Sequence, residues 1–149
     1  MYRLTFIVAS LVLASSGAVA AQMLQPAPDI APNRVVEIQL KALQNNDEPT
    51  PNAGIEQAWL FAHPMNKRVT GPLDRFISMI KAPPYQMLVG HESHSVQRIA
   101  VTDDTAMFTV KVTPASGDPV SYQWKLKKTG SGLWMTISVS PPMDRGDTI

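Results

Sequence analysis

Apolar residues return every third or fourth position through the first half of this chain, and every second position through much of the rest. From Asn33 to about Asn45, Val36, Leu40 and Leu43 share one side of a helix and Val35 widens the stripe. Asn33 is a residue type suited to capping that helix. "NNDEPTPNAG" at 45–54 ends it, because its prolines and glycine interrupt the hydrogen-bond ladder. A second helix is predicted in "GIEQAWLFAHPMN", 54–66, where Ile55, Ala58, Trp59 and Ala62 form one face. Leu60 and Phe61 lie off that face, so this helix is apolar around most of its circumference and is expected to be buried on several sides. A third begins in "TGPLDRFISMIK", with Gly71 at the cap, Pro72 in the first turn and Asp74 near the positive end. Leu73, Phe76, Ile77 and Ile80 repeat the spacing, and "APP" at 82–84 stops it.

From Tyr85 the period falls to two. Strands are expected at about 85–89, 92–101, 105–113, 120–128 and 133–140, joined by the polar turns "DD", "SGDP" and "TGSG". The fold class is therefore α+β, with three N-terminal helices packed on a curved antiparallel five-stranded meander. Alternation sorts the last three strands into faces. Ala106, Phe108, Val110, Val112, Val120, Tyr122, Trp124, Leu126, Leu133, Met135, Ile137 and Val139 fall inward. Thr109, Lys111, Gln123, Lys125, Lys127, Thr136 and Ser138 fall outward, joined by Met107 and Trp134 as apolar exceptions. In "ESHSVQRIAV" both parities hold apolar residues, which predicts a bulge or a strand covered on both sides.

That core limits the chemistry. Among the inward positions of those three strands only Tyr122 ionises, and its ordinary pKa is far above neutral. General acid–base catalysis needs a group poised near the working pH. The space between sheet and helices is then either filled by side chains, as dense interiors favour, or holds an apolar ligand. Trp59, Phe76, Tyr85, Phe108, Tyr122 and Trp124 are the residues expected to line such a pocket. The catalytic candidates are His63, His94 and Arg98. His63 precedes Pro64 and is read as closing the second helix, where imidazolium meets the negative end. His94 is expected to face solvent; were it to point inward with Arg98, a polar site would form at the mouth of the space. His91 and His94 are expected on opposite faces, so no metal site is assigned. The chain has no HExxH, phosphate loop, nucleophile elbow or EF-hand spacing, and no cofactor is expected.

Charge and the N-terminus place the domain. Arg3, the apolar stretch from Leu4 to Leu13 and Ala18-Val19-Ala20 read as a signal peptide spanning 1–20 and cut after Ala20. Export to the periplasm or beyond is the expectation, with no stable membrane insertion after cleavage. Residues 21–32 read as a flexible lead-in, 33–141 as a single domain and 142–149 as a flexible tail. Removing Arg3 leaves 12 basic and 12 acidic side chains, with no basic patch of the kind nucleic acid requires. With no cysteine anywhere, disulfides and thiolate chemistry are excluded, and the core alone must hold the domain.

The ordered combination of Phe61-Ala62, Pro64, Gly71, Phe76, Met79-Ile80 and Tyr85, preceded by "IQLKALQNND", resembles a bacterial domain-of-unknown-function family catalogued as four-eight-six-four. That family is similar to the nuclear-transport-factor-two-like superfamily. The resemblance covers about residues 34 to 140. It implies a cone-shaped, cystatin-like roll whose relatives include dehydratases, isomerases, binding modules and dimerisation domains. The enzymes among them use an Asp or His inside the cone, which the three sorted strands do not supply. The family pattern more often has Ser at the position of His63. The leading expectation is an exported, non-catalytic binding or accessory module accepting a small apolar ligand. A lyase or isomerase working from the cone mouth is the alternative from another class. Self-association through the open sheet face is the third. The lysines on that face disfavour a dry interface, so a monomer or a weak homodimer is expected.

Overall fold

The structure, a computed structural model, describes residues 22–141. The signal segment at 1–20 and the tail at 142–149 lie outside the described residues. Four α-helices, α1 (Pro32–Gln44), α2 (Ala53–Leu60), α3 (Pro64–Thr70) and α4 (Leu73–Ile80), precede an antiparallel sheet. Its strands are β1 (Ser93–Val101), β2 (Thr105–Thr113), β3 (Val120–Lys128) and β4 (Trp134–Ser140), in the order β1-β2-β3-β4. The α+β class and the meander stand as expected. Four helices and four strands replace the expected three and five.

Prolines account for most of the difference. The stretch 54–66 is not one helix: α2 ends at Leu60, and Pro64 opens α3. Proline at the first helical position sacrifices no bond, and it pushes the preceding residue to extended backbone. His63 (φ −59°, ψ 146°) is thus the cap that starts α3, not the residue that closes α2. In the same way Pro32 holds the first turn of α1, and Ala31, not Asn33, is the cap residue. Gly71, with φ +83°, ends α3, and Pro72 takes the cap position of α4. The expected strand at 85–89 is a 3₁₀ turn at Gln86–Leu88. Local bonds from Leu88 N to Tyr85 O (3.0 Å) and Val89 N to Gln86 O (3.2 Å) satisfy its backbone without a neighbouring strand.

α1 is the spine. Val35, Val36, Ile38, Gln39, Leu40 and Leu43 are all buried along it. α2 crosses it at Gly54, where a side chain would collide with the carbonyl group of Ala42. Asn46 joins the two helices: its Oδ1 accepts from Ile55 N at 2.9 Å and its backbone oxygen from Gly54 N at 2.8 Å. Residues before α1 are tied to α2 by Gln57, which accepts from Leu24 N (2.7 Å) and donates to Leu24 O (2.8 Å).

Pairing of β2 with β3 runs in register from Thr105↔Lys127 to Val112↔Val120, so Phe108, Val110, Tyr122, Trp124 and Leu126 share the buried face. β4 departs from simple alternation. Lys125 pairs with Ser138 and Leu126 with Thr136, which leaves Ile137 as a bulge. N-terminal to the bulge the parity inverts: Thr136 and Trp134 pair with inward-side residues of β3, and Met135 pairs with Lys127. Thr136 (2 % exposed) and Trp134 (8 %) are therefore buried, where alternation had put both outward. A second irregularity, the predicted bulge in β1, lies between Arg98 and Ala100. Backbone bonds of Thr136 with Phe61 and His63, both 2.8 Å, seat the α2–α3 link against β4.

Candidate functional site

The sheet's buried face is packed solid around Phe108, Val110, Val112 and Leu126, but an opening remains towards β4. Between α1, α4 and the bulged strand lies a cavity of about 440 Å³. Its volume is ordinary for a small-molecule site. Leu43 and Leu88 with Phe76, Met79 and Ile80 of α4 supply apolar wall. Met65 and Val69 of α3 form part of the lining while remaining 46 % and 77 % exposed, which sets them at the rim. No lining side chain is formally charged.

At the floor lies a buried polar knot. Gln39 sits in the apolar stripe of α1, and its Nε2 donates to Ala58 O at 3.0 Å. Its Oε1 accepts from Trp124 Nε1 at 2.9 Å and from the Thr136 hydroxyl at 2.6 Å. Trp124 Nε1 also lies 3.3 Å from Thr136 Oγ1. Thr136 can join only because the bulge turned it inward. The floor is thus rigid and largely self-satisfied, so an occupant would be stabilised chiefly by apolar contact. Tyr85 stacks on Tyr122 at 6.3 Å between ring centroids and donates to Val139 O at 2.9 Å. Burial, with Tyr85 alongside, pushes the Tyr122 hydroxyl up to about 12, and burial also raises Tyr85. Neither ring supplies a proton at neutral pH.

A family model described as a domain of unknown function (DUF4864) matches residues 27–146. The chain belongs to the DUF4864 family. No curated protein and no solved structure matches it. Of the residues expected to line a pocket in this DUF4864 domain, Phe76, Tyr85 and Trp124 do so. Phe108 and Tyr122 are buried in the core, and Tyr122 donates to Pro84 O at 2.8 Å; neither is part of the cavity wall. Trp59 lies away from the wall with Lys67 Nζ 4.0 Å from its ring centre, and its Nε1 has no partner among the described residues.

The three catalytic candidates are not brought together at the cavity. His63, 8 % exposed, accepts from Met65 N at 3.1 Å through Nδ1. Burial, then the positive charges of Lys127 and Arg68, hold it below the usual imidazole pKa, which suits an acceptor at a helix start. Arg98 is exposed on β1 and borders a shallow cleft with Glu37 and Asn33. His94 does not face solvent: it points at α1, its Nε2 2.8 Å from Glu37 Oε2. His91 and His94 meet rather than diverge, with Nε2 of one 2.7 Å from Nδ1 of the other. The turn through Gly90 (φ +65°) lies outside the strand and breaks the alternation on which the opposite-face expectation rested. Glu37 was missed by sequence reasoning, and His91 was set aside there on the expectation that it faced away from His94. Among the described residues no group of three or more His, Cys, Asp or Glu is placed to hold a metal, and no helix is long and apolar enough to cross a membrane.

Proposed function

We propose that this DUF4864 chain is a non-catalytic binding module that holds a small, uncharged, largely apolar molecule between α1, α4 and β4. The observation that carries this reading is the 440 Å³ cavity itself, lined without a single charged group and floored by a bonded Gln39–Trp124–Thr136 knot. A ligand bearing a carboxylate would leave that group at the rim, since burying it unpaired costs far more than the apolar contacts return. The lyase or isomerase alternative has less support, because His63, His94 and Arg98 all lie outside this wall. The reading includes export, supported by Arg3, the apolar run from Leu4 and the Ala18-Val19-Ala20 cleavage signal. It also includes a nuclear-transport-factor-two-like cone, supported by helices laid on one face of a four-stranded meander.

Titration with a series of neutral alcohols, isoprenoids and fatty acids, followed by melting temperature and calorimetry, tests the binding. A neutral ligand of roughly 20 heavy atoms at about 0.3 kcal/mol each should bind near 40 µM. Met65→Gln and Val69→Gln, at exposed rim positions, should leave the fold intact and weaken that binding about five-fold each by removing apolar contact. A flat response to the whole series, or binding indifferent to both rim substitutions, would defeat the proposal.

A further inference from the structure

The chain of groups joining Glu37, His94 and His91 lies apart from the cavity and is short of one hydrogen. His91 Nδ1 faces Leu88 O at 2.7 Å, and a carbonyl only accepts, so this nitrogen carries a proton. His94 Nε2 faces Glu37 Oε2 at 2.8 Å, and His91 Nε2 faces His94 Nδ1 at 2.7 Å. Three contacts need three hydrogens. Two neutral imidazoles and a carboxylate hold only two, and without a third either two lone pairs oppose each other or the link to Glu37 is lost. We propose that Glu37, His94 and His91 hold one extra proton and so form a pH-dependent clasp between α1 and the start of β1.

The surroundings fit a single proton. His91 is 2 % exposed, and burial, with His94 also lowering it against the Leu88 bond, keeps it below the usual imidazole pKa. His91 is thus the neutral acceptor, and His94 donates both ways, to His91 and to Glu37. Charged neighbours on α1 are Arg34 and Lys41, one turn to either side of Glu37. On β1 they are Glu92, just before the strand, and Arg98 further along it; the 3₁₀ turn contributes only Gln86, Met87 and Leu88. On β2, Val112 is the partner of His94, and Lys111 is the nearest charge. Two further bonds fasten the same turn to α1, from Gln44 Nε2 to Glu92 O (2.8 Å) and from Gly90 N to Leu43 O (2.9 Å). All three contacts are made only while the third hydrogen is held, so the clasp adds stability at low pH and loses it as pH rises through release of that hydrogen.

Glu37→Gln separates this from a merely structural contact. An amide at position 37 donates to His94 Nε2, and every contact is then satisfied by neutral rings. ¹⁵N spectra of the histidine rings should show, at about pH 6.5, His94 protonated on both nitrogens and His91 on Nδ1 alone, with His94 neutral in Glu37→Gln. The urea midpoint of the wild type minus that of Glu37→Gln should fall as pH rises from about 6 to 9, the opposite trends of His63 and His91 being common to both proteins. Two neutral rings in the wild type at the lower pH, or equal slopes in both proteins, would overturn the clasp. So would tight equimolar binding of Zn²⁺ that raises the melting temperature of the wild type and not of His94→Gln, since a metal ion would then occupy the gap. The ring spectra of the wild type decide the question even if the variant folds poorly.

Discussion

Replacing Gln39 with leucine tests whether the knot at the cavity floor holds the fold as its geometry implies. The side chain is 4 % exposed and makes three bonds, to Ala58 O, Trp124 Nε1 and Thr136 Oγ1. Leucine is of comparable bulk but one atom shorter, and it bonds to none of them. Ala58 O keeps its bond from Phe61 N at 3.2 Å, so that loss is small. Trp124 Nε1 retains only the longer 3.3 Å contact with Thr136, a loss of about 1 kcal/mol. The buried Thr136 hydroxyl loses its acceptor, which costs about 2 kcal/mol. Gln39→Leu should therefore destabilise by about 3 kcal/mol, a large share of the 5–15 kcal/mol typical of a domain. Thr136→Val removes the hydroxyl and leaves Gln39 bonded to Trp124, so it should cost about 1 kcal/mol. In the double variant no hydroxyl is orphaned and only the indole N–H is, so its cost should fall short of the sum by about 1 kcal/mol or more. Urea unfolding followed by tryptophan fluorescence gives all three values. A Gln39→Leu cost below about 1 kcal/mol, or strict additivity in the double, would refute the account of the floor.

Two further outcomes follow from local geometry. His63→Ala should cost about 1 kcal/mol and His63→Asn much less, because asparagine can accept from Met65 N in place of the imidazole; thermal unfolding compares them. Since His63 has a lowered pKa when folded, its contribution is complete above about pH 6.5 and is lost as pH falls below it, so wild type minus His63→Asn should shrink in acid. Gly54→Ala puts a Cβ into the Ala42 carbonyl and 2.7 Å from Asn46 Cα, with backbone on both sides unable to yield. It should destabilise by about 3 kcal/mol or more, seen as a collapsed melting temperature or loss of soluble protein, and a near-neutral result would contradict the α1–α2 crossing.

The sheet was legible where alternation is strict. β2 and β3 keep the expected bounds and faces because every second residue is apolar and nothing interrupts the ladder. β4 alternates just as well in "WMTISVS", and there the pattern misleads, since a one-residue bulge inverts a face without altering composition. A clue stood elsewhere: Gln39 occupies the apolar stripe of α1 between Val36 and Leu43, and a buried amide requires partners. Helix limits were lost at prolines, which stop one helix and start another with the same residue. The order of Pro64 and Pro72 relative to Gly71 marks starts rather than stops, but only once α3 is seen as separate. The cavity was foreseeable as an apolar region but not as a place, because which aromatics pack solid and which border a gap depends on how α4 approaches β4. The meeting of His91 with His94 depends on a turn and has no periodic signature.

The bulge at Ile137 also governs how the chain tolerates changes of length. A residue deleted from the exposed turn at Gly130–Ser131 shortens a loop and leaves the strands as they were. Deleting Ile137 likewise removes only the unpaired residue: Ser138 and Thr136 keep Lys125 and Leu126 as partners, so Thr136 stays on the face of Trp124 and within reach of Gln39. A loss from the middle of a strand, which looks damaging on paper, would in this molecule leave the floor of its pocket in place, whereas losing Thr136 itself would take away the hydroxyl that Gln39 holds.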